Sequence, residues 1–194
     1  MILPLVYYGH PVLRKKGTEI REITTAIRQL AHDMIETMYV HRGVGLAAQQ
    51  VGKALQLTVI DVRGTDRPSQ IFLGVQEVSL DSMMPLVLIN PRITYLEGIE
   101  ILGWEGCLSF PEISAEIPRA VTVHVSTTLL NGHSLQFIAT GLLSRAVQHE
   151  IDHLHGILFI DRMDLEKRKS FEPALRKLEK KTLSSLKKKS RRTS

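Results

Sequence analysis

Gly141-Leu-Leu-Ser-Arg-Ala-Val-Gln-His-Glu-Ile-Asp-His-Leu154 reads as one helix, with Thr140 able to cap it and His155-Gly156 as its exit. Leu142, Leu143, Val147, Ile151 and Leu154 make it largely apolar, so it belongs inside the molecule. Within it stands His149-Glu-Ile-Asp-His153. Residues four apart share a helical face, so both imidazoles can reach one metal ion. Glu150 lies on an adjacent flank, beside such an ion without ligating it. The same pattern also arises by chance on helices with two surface histidines. An apolar helix argues against that, because a polar cluster buried without purpose costs free energy.

Outward from this helix, residues 23–39 form another: Ile23, Ile27, Leu30, Met34, Ile35 and Met38 recur at three- and four-residue steps. Residues 56–63 and 86–89 are β-rich, the second run ended by Asn90-Pro91. Residues 93–101, 120–129 and 134–138 read as further strands, and Asn131-Gly132 between the last two is a hairpin signal. Residues 64–84 read as a long loop, 157–160 as a short strand and 165–186 as a basic helix. Strands first and a buried helix late predict an α+β fold. Mainly antiparallel β-sheets should pack around the central metal-binding helix, with a C-terminal helix beyond. Residues 1–165 are expected to be the catalytic domain and 166–194 a basic helix or tail.

The chain has 194 residues, enough for one domain with a tail. Hydrophobic residues are 43% and charged residues 23%, which excludes a disordered or fibrous chain. A single cysteine rules out an internal disulfide framework and fits a reducing compartment. No run approaches 18 apolar residues, and no basic segment precedes the short apolar start. A cytoplasmic location is therefore expected. The net charge of +5 is unevenly spread. Residues 167–194 hold twelve Lys or Arg and two Glu, a net +10, so residues 1–166 carry −5. A mildly acidic body with a basic tail suggests a polyanionic neighbour for the tail alone.

A catalytic metal needs a third protein ligand and an open position. Downstream of the helix stand only His155, too close in sequence, and then Asp161, Asp164 and Glu166. Upstream is the lone cysteine, in Glu105-Gly-Cys-Leu-Ser109. A lone cysteine is commonly a small buried hydrophobe, and it is also a strong thiolate ligand. Its polar turn between Gly106 and Ser109 favours the second reading. Gly43-Val-Gly-Leu-Ala-Ala-Gln-Gln50 reads as a tight loop that lets backbone approach closely. A glutamine amide after it can donate to a developing oxyanion. Alone this motif is weak, and it lacks the lysine of a phosphate loop.

The three motifs, in this order and separation, resemble those of peptide deformylases, and the resemblance runs from about residue 2 to residue 163. His10-Pro-Val-Leu-Arg14, Ile89-Asn-Pro91 and Gly156-Ile-Leu-Phe-Ile-Asp161 agree with it. The resemblance implies that Cys107, His149 and His153 hold one divalent metal ion, typically Fe²⁺, replaceable by Zn²⁺, Ni²⁺ or Co²⁺. It implies that Glu150 is general base and then general acid. Gln50 and the backbone amide of Leu108 would hold the formyl oxygen. Val44 and Gly45 would bind the substrate backbone and line the side-chain pocket, with Leu142 and Ala146 as further lining of this methionine pocket. The implied reaction is hydrolysis of the N-formyl group from the formyl-methionine of newly made polypeptides, releasing formate. The implied partners are the nascent peptide and, through the basic tail, the ribosome, with no membrane.

Some positions depart from the family pattern. Ser114 replaces an arginine common in bacterial members, and Phe110 replaces an aliphatic residue. Arg145, one turn before His149, is expected to point to solvent. Glu105 and Arg119 are expected, from the family, to pair and brace the cysteine loop. His10, His32, His41, His124 and His133 are read as surface or structural residues. Two other functions compete: a metallopeptidase, disfavoured by the upstream cysteine, and an inactive ribosome-binding homologue.

Overall fold

The structure, a computed structural model, describes residues 1–190. Residues 191–194, the end of the basic tail, lie outside the described residues. Seven strands form one sheet: β1 (Gly45–Ala47), β2 (Leu57–Ile60), β3 (Ser69–Leu73), β4 (Gln76–Val78), β5 (Leu86–Cys107), β6 (Phe110–Thr128) and β7 (Ser134–Thr140). Their order is β1-β2-β5-β6-β7-β3-β4, and every pairing is antiparallel. The helices are α1 (Thr25–Val40), the single turn α2 (Leu80–Met83), α3 (Gly141–Leu154) and α4 (Leu165–Ser190). This is the expected α+β class, with one sheet rather than several. No helix among the described residues is long and apolar enough to cross a membrane.

α3 occupies the bounds read from sequence and touches β1, β2, β3, β5, β6 and β7. Every residue from Leu142 to Leu154 is buried. Its fully buried Leu143, Val147 and Leu154 each contribute about 1.5–3 kcal/mol of burial. The cap differs from expectation. The Thr140 side chain makes no capping bond; Pro68 O accepts from Leu142 N at 3.0 Å and Ser69 Oγ from Leu143 N at 3.1 Å. Gly141 has φ +62°, and a Cβ there would lie 2.1 Å from Pro68 O. Residues 64–84 are thus not a plain loop. They contain the β3–β4 hairpin and α2, and they close the head of α3. Only Ile71 of β3 is buried, so the segment carries no hydrophobic alternation to betray it.

Other corrections have similar causes. Asn90-Pro91 does not end a strand; β5 runs on through a register shift between Ile89 and Arg92. Asn90 has φ +50° and trades two side-chain bonds with the Ile20 backbone. A bulge is where a sheet tolerates proline. Residues 43–50 are not merely a tight loop: they become β1 and a 3-10 turn, Ala48–Val51, because Leu46, Ala47 and Ala48 pack with no exposure. Residues 157–160 do not form a strand. Phe159–Asp161 is a 3-10 turn in which Asp161 accepts from Leu158 N. α4 is not a free tail along its first turns. Leu175 is 2% exposed, and Phe171 and Leu178 pack on a core cluster containing Phe110, Leu158 and Phe159.

Candidate metal centre

Two segments converge on α3. β1 and its 3-10 turn bring Gln50, the end of β5 brings Cys107, and α3 brings His149, Glu150 and His153. One donor atom from each of Cys107, His149 and His153 lies within 4.8 Å of the others. Cys107 Sγ is 3.3 Å from His153 Nε2 and 3.3 Å from Gln50 Nε2. Gln50 Oε1 accepts from Ala47 N at 2.8 Å, which turns the amide N–H₂ toward the cysteine. Thr58 Oγ1 donates to Glu150 Oε2 at 3.4 Å. Gly45 is needed here: a Cβ would lie 2.3 Å from Glu150 Oε1.

The donor set fits a divalent transition metal by its chemistry. Thiolate and imidazole suit Fe, Zn, Ni and Co, and a histidine ligand is usually oriented through its second nitrogen. His149 Nδ1 contacts Glu105 Oε2 at 2.9 Å, leaving Nε2 for the cluster. His153 Nδ1 is buried without a hydrogen-bond partner among the described residues.

Burial alone would raise the Glu105 pKa, but bonds from His149 and Arg119 outweigh it and lower it to about 2. Burial likewise opposes charge on His149, yet Cys107 and Glu105 push its pKa well above 6.5. Negative surroundings that hold a proton there also favour a divalent cation in its place. Burial lowers His153 well below 6.5, keeping the neutral form that ligates metals. Burial raises Glu150 to about 7.

Around this cluster opens a cleft of about 770 Å³. Val44, Gly45, Leu142 and Ala146 line it, as do Gln50, Leu108, His149 and Glu150. Ser114 reaches the cleft, and Phe110 is a 1% exposed core residue at its edge. Arg119 does brace the cysteine strand, bonding Glu105 at 2.9 and 3.0 Å.

Arg145 overturns its sequence reading. It does not face solvent; it is 5% exposed and bonds Glu105 Oε1 at 2.9 Å. Arg145 and Thr58 are the contacts that sequence reasoning missed, and neither pattern nor spacing marks them. His10 Nδ1 accepts from Val12 N, His41 reaches the cleft mouth, and His32 is exposed beside Asp33 and Glu36.

A sequence model of the polypeptide deformylase family matches residues 2–169. The chain is 47% identical over 178 residues to the peptide deformylase of Methylacidiphilum infernorum (isolate V4), covering 92% of this chain and 93% of that one. Among solved structures, that of peptide deformylase from Thermus thermophilus superposes with TM-score 0.77 at 37% identity, over 95% of this chain and 99% of that one. The Synechococcus elongatus peptide deformylase in complex with actinonin gives TM-score 0.74 at 37% identity, over 93% and 85%.

Proposed function

The chain belongs to the polypeptide deformylase family, metal-dependent hydrolases that remove the N-formyl group from nascent peptides, and on that premise we propose how its own residues do so. Cys107, His149 and His153 hold the ion, Fe²⁺ in the bacterial cytoplasm, with Zn²⁺, Ni²⁺ or Co²⁺ able to replace it. When bound, the ion supplies Lewis acidity, making water acidic near neutral pH and polarising a carbonyl.

Glu150 takes the proton of the attacking water at its carboxylate and later delivers it to the leaving amine nitrogen. Burial raises its pKa, which favours its holding the proton until delivery. Gln50 Nε2 and the Leu108 N–H donate to the formyl oxygen as it gains negative charge. One such donor is worth about 3–4 kcal/mol of transition-state stabilisation. The backbone of Val44 and Gly45 aligns the peptide. Leu142 and Ala146 admit the unbranched methionine side chain. Formate leaves, and the free amine is the product.

The observation that carries this reading is the gathering of the Cys107, His149 and His153 donor atoms within 4.8 Å, with Gln50 Nε2 3.3 Å from the sulfur. The test is anaerobic purification with metal analysis, followed by formate release from formyl-Met-Ala-Ser. One metal per chain and rapid release are expected. Cleavage of internal peptide bonds without formate release would favour a metallopeptidase instead. The exposed lysines and arginines of α4 support a second element of the proposal, an electrostatic dock on the ribosome, whose RNA is a large polyanion beside every nascent chain.

A further inference from the structure

β5 is the longest strand, and along most of its length it has one neighbour. β2 pairs with it only at Leu86, Val87, Leu88 and Ile89, whereas β6 follows it from Ile89 to Cys107. From Arg92 onward its other edge has no strand partner among the described residues. A free edge presents backbone groups that can pair with one more extended chain. Natural edges are commonly charged to prevent this. Here the edge is apolar: Tyr95, Leu96, Ile99, Ile101, Leu102 and Trp104 are each between 46% and 74% exposed. A contiguous run of this kind marks an interaction surface, unlike hydrophobic side chains scattered singly.

The run joins the metal cleft. Trp104 lines the cleft and is itself exposed. Arg67, another cleft residue, donates from Nη1 to Trp104 O at 3.3 Å and so marks the cleft end of the edge. Leu102 stands two positions away on the same face, opposite Pro118 of β6. From Trp104 to Tyr95 the strand covers about 30 Å. Two occupants suit an apolar edge: a second copy of this chain, or an unfolded polypeptide. A two-fold pairing of copies centred on the run would set exposed Glu100 beside its own counterpart, and like charges so placed repel. Continuity with the cleft favours the polypeptide, because a chain whose first residue lies at the metal can run on past Trp104 as an added strand.

Resting on the deformylase reading of the cleft, we propose that the free edge of β5 is a second binding surface for the nascent chain: it takes apolar, extended polypeptide from about the fourth residue onward as an added strand. Main-chain pairing accepts many sequences, and the row of apolar side chains selects those with apolar residues to bury. The surface lies away from the reacting bond, so it should act on binding and leave the chemical step alone.

The test uses the metal-loaded full chain and three substrates: formyl-Met-Ala-Ser, the same peptide extended to about twelve residues with alternating valine and lysine, and a length-matched glycine-serine extension. The valine peptide should exceed the tripeptide in kcat/KM by about tenfold or more, through KM, while the glycine-serine peptide matches the tripeptide. The double variant Ile99→Ser with Leu102→Ser should abolish the gain and leave formate release from the tripeptide unchanged. Equal kcat/KM for all three substrates overturns the proposal, a result that needs no variant to fold. So does an equal gain from the glycine-serine extension, or a folded double variant that keeps the gain. Size-exclusion chromatography covers the other occupant: a dimer of the natural chain that the double variant dissociates would assign the edge to a second copy and overturn the proposal. Absence of formate release from every formyl peptide would instead overturn the deformylase reading, and this proposal with it.

Discussion

His149 Nδ1 and Glu105 Oε2 stand 2.9 Å apart on α3 and β5, both buried. The carboxylate fixes which imidazole nitrogen faces the cleft, and Arg119 and Arg145 hold the carboxylate in turn. Glu105→Gln keeps the shape and removes the charge. Metal affinity should fall by about 10–100-fold, the usual effect of losing such an outer partner. Arg145 also loses its carboxylate partner, while Arg119 keeps Asp152 at 2.6 Å, so the variant should melt below the parent, by about 1–3 kcal/mol in stability. Chelator titration and thermal melts check the two effects separately. Unchanged metal affinity would show that the Glu105 contact is structural only.

Glu150 has a different signature. Glu150→Gln should keep the metal and the fold, yet lose at least ~10²-fold in kcat, the low end for general acid–base catalysis. Metal analysis beside formate-release kinetics tests this. If the metal-loaded fraction turns over normally, Glu150 only supports the site.

How much of this is legible in the sequence differs from element to element. α3 can be read because its apolar spacing and its His155-Gly156 exit agree, although Thr140 at its entry makes no capping bond. Cys107, His149 and His153 can be gathered because the helical spacing pairs two of them and the family resemblance supplies the third. The bond network of Arg145 cannot be read. Its acceptors are mostly backbone carbonyls of Ile101, Gly103 and Ile117, and a carbonyl has no letter in the sequence. Residues 64–84 hide a hairpin because a strand with one buried side chain shows no period. Asn90-Pro91 looks like an end because a bulge and a strand terminus use the same residues.

Cys107 tests the ligand set directly. Cys107→Ala removes the only sulfur from the cluster and should lose most of the bound metal together with formate release. Cys107→Asp offers oxygen instead and should retain some metal with altered activity. Near-normal turnover and one metal per chain in the alanine variant would mean that the ion sits elsewhere.

Acid stability should report on Asp161. Burial alone would raise its pKa, but bonds from Arg14 and the Leu158 backbone N–H outweigh it and lower it below 3.8. The group is depressed in the fold, so its stabilisation is complete above the unfolded value near 3.8. It is lost as pH falls through the lower folded value. Asp161→Asn should therefore reduce the melting temperature at pH 7 and flatten its fall below about pH 4. An acid profile identical to the parent's would remove the Arg14 pair from the stability account.

The basic helix should divide into two parts with separate effects. Leu175 is 2% exposed and Thr182 9%, with Phe171 and Leu178 packed on the Phe110–Phe159 cluster. Removing residues 167–194 should lower the melting temperature, since the buried leucine alone contributes about 1.5–3 kcal/mol. Removing only residues 183–194 takes away Lys187, Lys188, Lys189, Arg191 and Arg192 and leaves those packed residues in place. The shorter cut should leave melting and formate release from short peptides nearly unchanged while weakening co-sedimentation with ribosomes. Counterion release predicts a line in log affinity against log salt whose slope becomes shallower as lysines and arginines are lost. If the shorter protein sediments with ribosomes as the full chain does at every salt concentration, the distal charges are not the dock. Should the longer cut behave the same way, the basic helix serves only to cover the body.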